Sequence, residues 1–135
     1  MERVKCLRAL LAGASFLAGC ATAPSPEIQA KRAEFLRTTP ICANGPDCNA
    51  KWEAAQLWVV HNSGYKIQTA TSVVIETYNP TPHLTSIAVR ITKEPIGGGR
   101  YKFLVSVWCD NLFRCIPNEL DASLDFNKTI AAATP

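Results

Sequence analysis

The sequence predicts an α+β domain: a four-stranded antiparallel sheet with two helices on one face, in the order α-β-β-β-β-α, stapled by disulfides. Three observations point to it. Apolar residues recur at helical spacing near residues 50–62 and 117–130. Four segments between them alternate with a period of two. Four cysteines fall in two C-x5-C pairs. Strands that follow one another through short loops pair antiparallel, and both helices then collect on one face of the sheet.

The first helix is predicted in NAKWEAAQLWVVHNSG, with Asn49 as N-cap and Gly64 as the stop; Trp52, Ala55 and Val59 share a face, widened by Leu57 and Trp58. The period then changes. YKIQTA alternates Tyr65 and Ile67 against Lys66 and Gln68, and SVVIETYN runs to the breaker NPTP at 79–82. SIAVRITKEP sends Ile87, Val89 and Ile91 to one face and Ala88, Arg90 and Thr92 to the other. IGGGR makes a hairpin turn. YKFLVSVWC places Tyr101, Phe103, Val105 and Val107 opposite Lys102, Leu104, Ser106 and Trp108. The last helix, in IPNELDASLDFNKTI, has Pro117 and acids early and Lys128 late, the order that suits the helix dipole. Leu120, Leu124, Phe126 and Ile130 are its apolar side. No internal repeat is present.

The N-terminal segment reads differently. MERVKCLRALLAGASFLAGC begins with Arg3, Lys5 and Arg8, followed by an apolar run from Ala9 to Ala18 broken by Gly13 and Ser15. The run has the length of a secretory leader's apolar region and is short of the roughly 20 residues a spanning helix needs. It ends Leu17-Ala18-Gly19-Cys20, which resembles the lipobox of bacterial lipoproteins. That resemblance implies acylation of the Cys20 thiol, cleavage before Cys20 and acylation of the new amino group, and two or more acyl chains give stable membrane residence. With Ala21 after the cysteine, it also implies the outer membrane. The expected organisation is a leader over 1–19, a lipidated N-terminus and tether over 20–40, and the α+β domain over 41–131. Within the tether, ATAPSP is small and proline-rich, and PEIQAKRAEFLR is either a short helix with a weak apolar stripe or part of the linker, ended by TTP at 38–40.

Residues 1–19 hold three of the fourteen Lys/Arg and one of the eleven Asp/Glu, so the remaining 116 residues carry eleven basic and ten acidic side chains. A near-neutral chain offers no electrostatic case for nucleic acid. Its length is that of one domain with a small core. With Cys6 in the leader and Cys20 acylated, Cys42, Cys48, Cys109 and Cys115 remain, and an even number in an exported protein reads as disulfides. The local pairs Cys42–Cys48 and Cys109–Cys115 are favoured, each closing a ring worth about 2 kcal/mol; crossed pairing stays open. A zinc site fits the C-x5-C spacing poorly, and no C-x-x-C redox pair is present. No metal or cofactor is expected.

NSGYKIQT, VIETYNP, SIAVRITKEPIGGGRYKF and VWCDNLFRCIPN resemble a group of small proteobacterial lipoproteins. The resemblance spans about residues 41–128. It implies a cell-envelope setting and brings no activity with it.

Candidate chemistry is sparse. His61 suits the C-terminal end of its helix as a cation facing the dipole, against the sharper reading of a general base. His83, in NPTPHL, reads as an exposed loop residue. Asp121 and Asp125 share a helix face and are read as a solvated face, although paired carboxylates can do acid–base work. Gly97-Gly98-Gly99 has nothing else of a phosphate loop. An enzyme is not expected. The most informative surface is the sheet face turned from the helices, with Arg90, Lys102, Leu104, Trp108 and Tyr78, because aromatics and Arg favour recognition sites. The bland alternative packs Trp108 against the 109–115 loop. The functional expectation is an envelope lipoprotein whose domain, in the periplasm, binds an envelope protein or cell-wall component through this face. The alternative is a binder of a small glycan, peptidoglycan fragment or lipid.

Overall fold

In the computed structural model, residues 23–43 and 45–135 are described; the expected leader and Cys20 lie outside them. The elements are α1 (Pro26–Arg37), β1 (Ile41–Ala43), α2 (Gly45–Asn62), β2 (Ile67–Ala70), β3 (Val74–Thr77), β4 (Ala88–Gly97), β5 (Arg100–Trp108) and α3 (Glu119–Ala132). The strands form one antiparallel sheet in the order β1-β5-β4-β3-β2. The fold is α+β, with five strands in place of the expected four and three helices in place of two.

The period-two segments of β3, β4 and β5 behave as their patterns require. β2 starts only at Ile67, and a register shift between Ile67 and Thr69 breaks its alternation and leaves Gln68, Thr69 and Ala70 exposed. Ile91 pairs with Val105 and Ile75, and Val89 with Val107, so one apolar face runs across the three central strands. Ile75, Val89, Ile91 and Phe103 are fully buried there, with Val105 nearly so. Against them lie Trp52, Ala55, Trp58 and Val59 of α2 and Ala122, Phe126 and Ile130 of α3. Trp58 meets Phe126 edge-on at 5.2 Å, and Trp52 tilts over Phe103 at 5.8 Å. Both indoles are satisfied: Trp52 Nε1 donates to the Thr71 carbonyl at 3.1 Å and Trp58 Nε1 to Asp125 Oδ2 at 2.8 Å. Lys93 also lies on this inner side, its ammonium 5.1 Å from the Trp52 ring and 5.5 Å from Tyr101.

The two additional elements lack a strong sequence period. β1 has three residues, too few to show alternation, and is set by its surroundings. Cys42 is disulfide-bonded to Cys48 of α2, and the Pro40 carbonyl accepts from Phe103 N at 2.9 Å. The same linkage starts α2 at Gly45, so Asn49 falls inside the helix rather than capping it. Asp47 lies in the first turn, accepting from Ala43 N at 2.9 Å and pairing with Lys51. α1 has good local signals: Ser25 caps it and Pro26 occupies its first turn. It buries no residue completely. It docks on α3 through polar contacts, Lys31 Nζ to Asp121 Oδ1 at 2.8 Å and Asn127 Nδ2 to the Phe35 carbonyl at 2.9 Å. The segment expected as tether or short helix is thus a docked helix. α3 is capped by Asn118, which accepts from Leu120 N and Asp121 N.

Two glycine sites are backbone requirements. Gly97, Gly98 and Gly99 all have positive φ in the β4–β5 turn. Gly64 donates to the Ile87 carbonyl at 3.1 Å, and a Cβ there would stand 2.4 Å from the Ser86 Cβ. The turn from α2 therefore packs directly on the strand entry.

Phe126→Ala is expected to lower stability by about 3–5 kcal/mol in urea denaturation, because it empties a fully enclosed ring site. Acid sensitivity has a local source. The Lys51 hydrogen bond, then the Ala43 N–H, hold the Asp47 carboxyl below its ordinary 3.8. Its stabilising contribution is complete above that pH and disappears as pH falls through the lower folded value. Asp47→Asn is therefore expected to flatten the acid limb of a pH–stability curve while leaving its slope near neutrality unchanged.

Candidate functional site

The face of the sheet turned from the helices is built by the residues that alternate with the core. Cross-strand pairs put Trp108 beside Ala88, Ser106 beside Arg90, Leu104 beside Thr92 and Lys102 beside Glu94. β3 extends these rows with Glu76 beside Arg90 and Val74 beside Thr92, and β1 adds Ile41 beside Lys102. The structure therefore brings Arg90, Lys102, Leu104 and Trp108 onto one surface. Tyr78 lies one residue beyond β3, half exposed, with its backbone N–H bonded to the Lys66 carbonyl at 3.0 Å. It sits at the margin of this face.

The character of the face differs from a basic, aromatic patch. The Arg90 guanidinium is 2.9 Å from Glu76 Oε1, and Lys102 Nζ is 3.6 Å from Glu94 Oε2. Thr92 Oγ1 also donates to Glu94, at 3.2 Å. Each cation has an acid across the ladder, which the sequence alone could not place without the strand register. Such exposed pairs hold side chains in position and add only about 0.2–1 kcal/mol each. Between the pairs stand Ile41, Val74 and Leu104. Trp108 is partly covered, and Ala88 opposite it is completely buried yet lies outside the main core cluster. The indole is the cross-strand neighbour placed to cover that alanine, so Trp108 both packs and remains in part accessible.

The polar candidates have structural partners. Asp121 pairs with Lys31 and Asp125 accepts from Trp58, so the two carboxylates are held by different neighbours instead of acting as a free acidic face. The Lys31 ammonium is raised above its ordinary 10.5, first by the hydrogen bond to Asp121. His61 is exposed in the last turn of α2. It shares a hollow of about 350 Å³ with Asp125 and Thr129, lined by no serine or cysteine. His83 has φ of 68° and works through its backbone: its N–H donates to the Asp110 carbonyl at 2.7 Å and its carbonyl accepts from Asn111 Nδ2 at 2.7 Å.

The cysteines form the local pairs, Cys42–Cys48 and Cys109–Cys115. Glu119 Oε1 lies 2.9 Å from Cys115 Sγ. A disulfide sulfur has no proton to give, so this is a contact and not a hydrogen bond. Cys109, Cys115 and Glu119 gather three potential metal donors, but the two sulfurs are bonded to each other. A groove of about 540 Å³ runs between α1 and α3, lined by Glu34, Leu124, Asp125 and Lys128 among others. Among the described residues, Asn127 Oδ1 beside it is a buried polar atom with no partner.

Leu112 and Phe113, inside the Cys109–Cys115 ring, are 90% and 93% exposed. The signal was present in CDNLFRC: a seven-residue ring has no interior for two bulky side chains. Among the described residues no helix is long and apolar enough to cross a membrane.

The three tryptophans separate these environments. Trp108→Phe is expected to remove most of the acrylamide-accessible fluorescence, whereas Trp58→Phe leaves it in place, since Trp52 and Trp58 are only 7% and 4% exposed. Stern–Volmer quenching of the folded protein checks this.

A scan of protein-family models, a search of curated proteins and a search of solved structures each found no match to this chain.

Proposed function

We propose that the chain is a lipid-anchored protein of the bacterial cell envelope, held in the outer membrane by acylated Cys20, whose domain stands in the periplasm and binds another envelope component. The observation that carries the binding reading is the open sheet face. Among the described residues the helices close over one side of β1, β3, β4 and β5, and the other side presents Ile41, Val74, Leu104 and part of Trp108 between two ion pairs. Apolar side chains framed by fixed charges are the composition of a protein-recognition surface, with an apolar centre and a polar rim. The anchor reading is supported by the lipobox-like Leu17-Ala18-Gly19-Cys20, and export agrees with two disulfides. The reading is one of binding and gives the domain no catalytic step.

A second reading, capture of a small glycan, peptidoglycan fragment or lipid, draws on the α1–α3 groove and the unpartnered Asn127 oxygen.

A photo-crosslinking residue at position 104, in living cells, tests the first reading. One dominant protein adduct is expected, absent when the same residue stands at exposed Glu53 on α2, and reduced at least tenfold by Arg90→Glu. No adduct from position 104 in folded, acylated protein would overturn the sheet face as the site and turn attention to the groove.

A further inference from the structure

The loop closed by Cys109–Cys115 is held rigidly and points its apolar residues outward. Asn111 Oδ1 accepts from Phe113 N at 2.9 Å and Arg114 N at 3.2 Å, which sets the turn. Asn111 Nδ2 and the Asp110 carbonyl bind the His83 backbone, and Ile116 N donates to the Thr85 carbonyl at 2.8 Å. A ring tied at both ends to the 83–85 segment cannot fold Leu112 and Phe113 back onto the domain. Leu84 and Ile116, each about half exposed, belong to the two segments joined here, and Arg114 follows Phe113 directly. Two large apolar side chains held in water on an ordered loop mark a surface made to be covered.

The course of the chain says what covers it. Lys31 meets Asp121, and four residues later the Phe35 carbonyl meets Asn127, so α1 and α3 run parallel. α3 begins at Glu119, directly after the loop. The start of α1 therefore stands at the same end of the molecule as Leu112 and Phe113. Lys31 is six residues from the cap Ser25, about 9 Å along the helix axis. This carries the first turn of α1 past the start of α3, toward the loop's end. Cys20 precedes Ser25 by five residues, a span of at most about 18 Å. The β4–β5 turn at Gly97–Gly99 lies at the opposite end of the sheet.

We infer that the Leu112–Phe113–Arg114 tip is a membrane-contact element that inserts into the headgroup region of the phospholipid bilayer carrying the Cys20 anchor. Leucine and phenylalanine enter the acyl boundary while the arginine stays at the phosphates, the arrangement interfacial anchors use. The short link from Cys20 holds this end near the bilayer at high effective concentration, so two side chains suffice where a free domain would need more. The domain then stands with its strands pointing away from the membrane and its open sheet face at the side, accessible to a periplasmic partner. The orientation rests on the anchored reading proposed above; the loop's chemistry does not.

The test uses the full chain expressed in a Gram-negative host, carrying an environment-sensitive fluorescent amino acid at position 112 or, as reference, at exposed position 100 at the opposite end of the sheet. Mass spectrometry of the Cys20 peptide decides acylation separately. In phosphatidylcholine/phosphatidylglycerol vesicles, emission at 112 is expected to shift to the blue and to be quenched by bromine on the lipid chains, with neither change at 100. With the probe kept at 112, Phe113→Ser is expected to abolish most of the shift without altering the near-UV circular dichroism of the buried aromatics, since the Phe113 side chain is almost wholly exposed. Water-like emission at both positions, in acylated protein on vesicles, would overturn the proposal. Without acylation the anchored reading falls, and the same comparison at millimolar lipid decides the loop alone: a shift at 112 supports it and no shift overturns it.

Discussion

One-sided burial of the sheet governs this fold. The row Ile75–Ile91–Val105, with Val89 and Phe103, must leave water, and it does so only if Trp52 and Trp58 of α2 and Phe126 and Ile130 of α3 close over it. At about 25 cal/mol per Å² of apolar surface, this layer is the main favourable term. It also dictates chain direction. β5 ends at Trp108, and α3 must turn back at once to lie over the strands, so the 109–117 segment is forced to one end of the sheet. α2 runs the other way, which brings Gly64 against Ser86 with no room for a side chain.

The second level of organisation is polar. α1 contributes no fully buried side chain, yet it is fixed in direction by Lys31–Asp121 and by Asn127, whose amide reaches the Phe35 carbonyl and the Thr38 hydroxyl. Polar contacts of this kind, an exposed ion pair and one buried amide, specify one arrangement more than they add energy. Here they choose a parallel course beside α3, and that choice decides where the N-terminal segment leaves the domain. The two disulfides act in the same sense. One ties β1 to the start of α2; the other closes a loop that the 83–85 backbone then holds from outside.

Much of this was legible in the sequence, and the reasons are specific. Val89, Ile91, Phe103 and Val105 alternate cleanly, so their strands and their inward face could be read from period alone, as could the opposite face with Arg90, Lys102, Leu104 and Trp108. β1 was hidden because three residues carry no period. α1 was ambiguous because its stability lies in contacts to residues about 90 positions away. The start of α2 was misplaced because Asp47 and the Cys42–Cys48 bond outweigh the capping preference of Asn49. On the candidate surface, the alternation places the residues on one face but cannot name their partners. Glu76 and Glu94 neutralise the basic side chains only once the strand register is known. Leu112 and Phe113 belong to no periodic segment, and their exposure follows from the size of the disulfide ring and not from their residue type.

These levels converge on one geometric claim: the N-terminal segment and the Leu112–Phe113 loop leave the domain at the same end. The most direct test is a pair of spin–spin distances in the full chain, from exposed position 30 on α1 to position 112 and to exposed position 100 at the start of β5. Parallel docking of α1 on α3 requires two narrow distributions, with the distance to 112 the shorter. A shorter distance to 100, or broad distributions to both, would contradict it and would separate the anchor from the loop.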